Sequence, residues 1–151
     1  TIAMAQDKLI GLCSDHAFYD LKEHLKQLLE ARGYAVRDFG CPSAERCDYP
    51  DFAHPMGRAL QAGELQRGIS VCGSGNGISM VMNKYPKVRA ALCWQEELAK
   101  LAREHNDANV LSLPARFISE SEAEKILNAF LTTDFEGGRH VSRVEKIPIS
   151  H

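Results

Sequence analysis

The sequence has no apolar run near the ~18 residues of a transmembrane helix, no C-x-x-C pair, no low-complexity tract and no internal repeat. The first absence excludes a helical membrane span, and the last two leave no sign of a linker or a repeat array. Charge of one sign is also lacking: 18 Lys and Arg stand against 20 Asp and Glu, a formal net charge of −2. No global basic field therefore draws the chain to nucleic acid or to a membrane surface, and an anionic ligand needs a local cluster of cations. Thr1 to Lys8 contain no signal-peptide h-region. Cys13, Cys41, Cys47, Cys72 and Cys93 are odd in number and unpaired by motif. At 151 residues the chain can build an ordinary core. Reduced thiols in a cytoplasmic protein are expected, not a disulfide scaffold. Hydrophobic content of 44% and charged content of 25% fit a single domain over residues 1–151.

What is present is an alternation. Strand-like apolar runs at 9–13, 34–39, 68–72, 88–93 and 110–113 are separated by helical patterns at 17–32, 52–62, 78–84, 95–104 and 119–132. Leu21, Leu25, Leu28 and Leu29 line one helical face, with Gly33 as a stop. Ser119 with Glu122 forms a capping box. Gly137-Gly138 opens a last, more basic segment, expected to be helical over about 137–147. Five alternations argue an α/β fold with a mainly parallel sheet.

The segment Ile69-Ser70-Val71-Cys72-Gly73-Ser74-Gly75-Asn76-Gly77-Ile78-Ser79 carries most of the chemistry. It puts a thiol at the carboxyl end of a buried strand, before a glycine loop that leads into a helix. Such a loop gathers unpaired N–H groups that favour an anion, and the same field favours a thiolate. The spacing G-x-G-x-G is neither the dinucleotide fingerprint nor the P-loop. In open parallel sheets ligands bind beyond the carboxyl ends of the strands. Asp15-His16, Cys72 to Gly77 and Arg116 all fall there.

Each feature also has a plainer reading. Cys72 could be a small buried hydrophobe, and Cys13 and Cys93, which lack the loop, are taken as structural. Cys41 and Cys47 lie in a loop without plausible metal-ligand spacing. Asp15 could cap the following helix. His105-Asn106-Asp107 could end a helix and make a turn, or place a histidine where it moves a proton at neutral pH. Arg139 and Arg143, four apart, are either solvated or a phosphate-binding pair.

Several segments together resemble the B-type ribose-5-phosphate isomerases, a family that also holds allose-6-phosphate and galactose-6-phosphate isomerases. They are Ser14-Asp15-His16-Ala17, Glu45 to Pro50, Cys72 to Ser79, Asn83-Lys84, His105 to Leu111, Glu136 to His140 and Arg143-Val144-Glu145. The resemblance implies a Rossmann-like three-layer α/β/α subunit with a five-stranded sheet. It also implies a homodimer or dimer of dimers whose active site draws on both chains, and no metal or coenzyme. It makes Cys72 the base that carries a proton between C1 and C2, and Ser74 an enediolate-stabilising hydroxyl. The backbone of Gly73, Ser74, Gly75, Asn76 and Gly77 becomes the anion hole. Asp15 and His105 match ring-opening groups, and His16, Arg116, Arg139 and Arg143 the phosphate clamp. Asn106 and Tyr49 match residues near the sugar hydroxyls. Two departures stand out: Phe18 replaces the usual glycine, where it would reshape the sugar pocket or reach a partner subunit, and Ile78 stands where some members carry a carboxylate base. The expected activity is interconversion of ribose 5-phosphate and ribulose 5-phosphate. The alternatives are a six-carbon phosphosugar isomerase, a non-catalytic phosphosugar-binding protein, and a thiol redox protein using Cys72.

Overall fold

The computed structural model describes residues 8–149. Most of the Thr1–Lys8 stretch noted above, and the outermost ends of the single domain, lie outside the described residues. In chain order the elements are β1 (Leu9–Ser14), a 3-10 turn (His16–Phe18), α1 (Tyr19–Ala31), β2 (Ala35–Gly40), α2 (Pro50–Gln61) and β3 (Arg67–Cys72). They continue with α3 (Asn76–Met82), β4 (Ala90–Leu92), α4 (Glu96–Asn106), β5 (Val110–Pro114), α5 (Glu120–Thr132) and α6 (His140–Glu145). The strands form one sheet in the order β2-β1-β3-β5-β4. Every neighbouring pair is parallel, so the sheet expected to be mainly parallel is wholly so.

Side-chain alternation sorts the core into two layers. Ile10, Leu12, Ile69, Val71, Leu111 and Leu113 face α1, α4 and α5. Cys13, Cys72 and Val110 face α2 and α3. Both faces of β3 and β5 are therefore covered, which is why these strands read as continuous apolar runs. Burying each Leu or Ile of this kind stabilises the fold by about 1.5–3 kcal/mol. On the α2 face, Ser70 and Ser112 satisfy each other across the β3–β5 register at 2.9 Å.

The sequence expectations for the elements hold with shifts at their ends. The capping box forms: Ser119 Oγ accepts from Glu122 N–H at 3.0 Å, and Glu122 Oε1 accepts from Ser119 N–H at 3.2 Å. The helix expected from residue 17 begins as the 3-10 turn, because Asp15 Oδ1 takes the Ala17 N–H at 3.0 Å. The strand expected over 88–93 shrinks to Ala90–Leu92. Its flank is diverted: Val88 N–H closes a turn onto Tyr85 at 2.9 Å, and Arg89 N–H goes to the Asn109 side chain at 2.7 Å. The terminal helix is shorter than 137–147, since Gly137 and Gly138 hold φ values of 70° and 55° outside it.

Candidate active site

The chain leaves β1 toward β2 on one side and later returns to β3 on the other, so the crevice between β1 and β3 is the switch point of the sheet. Backbone bonds continue the ladder past the strand ends. Asp15 N–H donates to Val71 O at 2.9 Å, Ala115 N–H to Cys72 O at 2.9 Å, and Arg116 N–H to Gly73 O at 3.0 Å. Asp15, Cys72 and Arg116 thus stand side by side at one edge, as expected. Cys72 is the last residue of β3, opposite Pro114, and is 6% exposed.

The glycine loop is shaped by what crowds it. Gly75 sits at φ 77° as the cap of α3 and packs against Leu92, a backbone state and a space that a side chain would contest. Gly77 lies under the Tyr49 hydroxyl, which occupies the space of a Cβ. Arg116 lies across Gly73. Within the loop, Ser74 Oγ accepts from Asn76 N–H at 3.2 Å, so that one amide is already engaged and the Ser74 hydroxyl is oriented. His16 Nδ1 lies 3.1 Å from Asp15 Oδ1 and accepts from Cys47 N–H at 3.2 Å. Asp15 therefore caps the turn, as in the plainer reading, and its carboxylate lies beside the His16 ring. Phe18 packs on the core, and its ring centroid lies 5.9 Å from Arg116 Cζ. Its bulk steadies a candidate phosphate ligand within the subunit.

The other site residues gather at the opposite edge. Helix α4 runs back from the carboxyl edge, so its last turn brings His105 and Asn106 to the amino end of β5. The α6 helix packs there against α4. His105 and His140 stack with ring centroids 4.4 Å apart and planes 15° apart. Glu136 Oε1 lies 3.7 Å from His105 Nε2, and Glu136 N–H donates to Glu104 O at 3.0 Å. Arg139 caps α6 and Arg143 lies in its last turn. Among the described residues no ion pair engages Arg116, Arg139 or Arg143, which leaves all three cations free for an anion. His140 is 6% exposed, and its Nε2 has no hydrogen-bond partner among the described residues. Burial, then Arg139 and His105, hold its pKa below the ordinary 6.5.

The structure thus brings together Asp15, His16, Tyr49, Cys72, Gly73, Ser74, Gly75, Asn76, Gly77 and Arg116 in one group. His105, Asn106, Arg139 and Arg143 form another. A five-residue strand, about 17 Å at 3.3 Å per residue, separates the two groups in one subunit. Glu136 and His140 lie inside a segment quoted from the sequence yet drew no role there. Only the three-dimensional stack shows what they touch. Cys13, a neighbour of Cys72 on β1, is fully buried with its thiol pushed far up by burial, and burial pushes Cys93 up to about 12. Both fit the structural role expected of them. Among the described residues, two groups carry metal-ligating atoms within 4.8 Å of one another: His105, Glu136, His140 and His24, Glu120, Glu124. The first is the stacked histidine pair with Glu136 beside it. The second is a surface ion-pair cluster between α1 and α5.

The chain is similar to known proteins over most of its length. A family model described as Ribose/Galactose Isomerase matches residues 10–147. Ribose-5-phosphate isomerase B of Escherichia coli (strain K12) is 41% identical over 140 residues, 93% of this chain and 94% of that protein. The D-erythrulose-4-phosphate isomerase of Pectobacterium atrosepticum is 40% identical over 139 residues, 91% of each chain. The crystal structure of ribose-5-phosphate isomerase B from Mycoplasma genitalium with bound ribulose-5-phosphate superposes with a TM-score of 0.88 at 40% identity, covering 92% of this chain and 93% of that one. With residues 10–147 matched by that model, the chain belongs to the Ribose/Galactose Isomerase family.

Proposed function

We propose that the protein is an aldose–ketose isomerase of phosphorylated sugars, interconverting ribose 5-phosphate and ribulose 5-phosphate through a cis-enediolate. The observation that carries this reading is Cys72 at the end of β3, beside a glycine loop at the switch point. In the aldose-to-ketose direction the Cys72 thiolate takes the proton from C2. Loop amides and the Ser74 hydroxyl stabilise the oxyanion. The proton returns to C1 while the O2 proton passes to O1. Donors placed this way are worth roughly 3–4 kcal/mol each. The sequence of proton transfers has no net redox change and uses no coenzyme. Ile78, buried and apolar, offers no competing base.

Ring opening falls to Asp15 and His105, and phosphate binding to His16, Arg116, Arg139 and Arg143. Asn106 and Tyr49 meet the sugar hydroxyls. Because these groups sit at opposite sheet edges, one subunit supplies the Cys72 half and a second copy the His105 half. An isologous dimer, alone or doubled into a dimer of dimers, completes two such sites. Among the described residues no helix is long and apolar enough to cross a membrane. Five free cysteines suit the reducing cytoplasm.

The test is metal-free conversion of ribose 5-phosphate by the wild type and by Cys72→Ala, beside four- and six-carbon phosphosugars. The expected outcome is highest kcat/KM on ribose 5-phosphate and a loss of at least about a thousandfold in the variant. Undiminished turnover in Cys72→Ala would remove the thiol from the mechanism. Preference for a six-carbon phosphate would reassign the substrate, and binding without turnover would leave a phosphosugar-binding protein.

A further inference from the structure

His140 is a buried titratable group that the proposed reaction leaves without a task. It is the first residue of α6 and follows Gly137 and Gly138, whose positive φ values turn the chain as only glycine does without strain. The His140 N–H donates to Gly137 O at 3.1 Å, which ties the start of the helix to that turn. The ring is thereby set against the last turn of α4, face to face with His105 at 4.4 Å between centroids and 15° between planes. His105 has little else to hold it. Its side chain is more than a third exposed, and the one ion-pair partner of its ring among the described residues, Glu136 Oε1, stands 3.7 Å from Nε2. A hydrogen bond needs about 2.7–3.2 Å.

We propose that His140 is a positioning residue, whose buried ring fixes the plane of the His105 imidazole and keeps one His105 nitrogen aimed at the sugar. The second torsion of a histidine side chain is broad and roughly two-fold, so an imidazole without a partner swings. A flat ring packed on its face confines it, and aromatic pairs hold such geometries. The proposal rests on the reading of His105 as a ring-opening group. That step passes a proton between His105 and a sugar oxygen, which requires an approach of about 2.6–3.2 Å. An imidazole displaced by about 1 Å loses up to a hundredfold in rate.

His140 is suited to this by what its ring lacks. Its Nε2 is buried and makes no hydrogen bond among the described residues. A buried nitrogen left unpaired costs stability, so such an atom calls for an explanation. Burial first, then Arg139 and His105, keep a charge off the ring. What His140 offers its neighbour is therefore a flat, uncharged face. A phenylalanine supplies the same face and removes the unpaired nitrogen, which separates the work of the ring from any work of its nitrogens.

The experiment compares the full-length wild type with His140→Phe and His140→Ala. Ring-proton signals of His105, identified with His105→Gln, are followed by NMR, and kcat and KM are measured on ribose 5-phosphate. The stacked partner shifts the His105 protons upfield in the wild type. In His140→Ala they are expected to move back downfield, with kcat down at least about tenfold and KM within about twofold. In His140→Phe the upfield shift is expected to survive, with kcat within about threefold of wild type. A raised KM with kcat kept in His140→Ala overturns the role, because it shows α6 displaced together with Arg139 and Arg143. His105 signals unmoved in His140→Ala overturn it as well. So does a His140→Phe variant as slow as His140→Ala, which assigns the work to a nitrogen. If His140→Ala does not fold, His140→Phe decides alone: upfield shift and kcat kept support the role, and loss of either overturns it. A wild type without turnover of ribose 5-phosphate sinks the isomerase reading, while the NMR shifts still decide whether His140 holds His105.

Discussion

Lys22 lies on α1 with no exposed side-chain surface, its ammonium 2.6 Å from Asp38, 3.1 Å from Glu23 and 5.0 Å from the Tyr19 ring centroid. Burial works against the charge, but bonds to Asp38 and Glu23 outweigh it and raise the pKa above 10.5. A lysine raised in the fold contributes stability that is complete below its unfolded value and is lost as pH climbs through the higher folded value. Lys22→Met leaves Asp38 only its longer, 3.7 Å approach to Lys26 and is expected to cost about 3 kcal/mol in denaturant unfolding at pH 7. Above pH 10.5 the gap between variant and wild type is expected to narrow, because the wild type then sheds the same interaction. Equal stabilities at pH 7 would show that the pair contributes nothing net. Nothing in the local sequence marks Lys22 as buried. It sits among Leu21, Leu25, Leu28 and Leu29 on a helix whose period explains the leucines, and its partner Asp38 arrives from the next strand.

At the scale of elements, β3, the glycine loop and α3 act as one unit. The strand is pinned on both sides, and the loop turns at Gly75 into a helix whose second residue, Gly77, is covered by Tyr49 from the start of α2. Gly77→Ala would improve helix propensity by up to about 1 kcal/mol, yet its methyl overlaps the Tyr49 hydroxyl. The expected outcome is a melting temperature within a few degrees of wild type with kcat/KM for ribose 5-phosphate down by about tenfold or more. A variant with full activity would show that Tyr49 shifts freely. Such local devices were legible in the sequence: the strand-loop-helix order, the capping box at Ser119 and the stop at Gly33 each follow from neighbours within four residues. The strand is shorter than the 88–93 run, because the side chain of Asn109, distant in sequence, captures the Arg89 amide.

For the whole molecule, the placement of His105 across the sheet from Cys72 is the main result that no local pattern contains. The motifs were readable one by one, but their assignment to opposite edges depends on the direction of α4 and the insertion of β5 between β3 and β4. The contact between Cys47 and His16 was hidden for the same reason, since it joins residues 31 positions apart. The proposed two-subunit site makes a sharp prediction. Cys72→Ala and His105→Ala, each inactive alone, are expected to regain up to about a quarter of wild-type activity after mixing and subunit exchange. Half of the re-formed dimers are mixed, and one of the two sites in each mixed dimer carries both native residues. No recovery despite verified exchange would place both residues in one subunit's site. The position of Cys72 has one more consequence. β3 is hydrogen-bonded on both edges and covered on both faces, so its amides should exchange with solvent deuterium only through global opening, while Ser74 stands exposed two residues later. The sulfur proposed to react is thus held at the boundary between a strand whose amides are expected to exchange among the slowest in the molecule and a loop whose exposed amides are expected to exchange far faster.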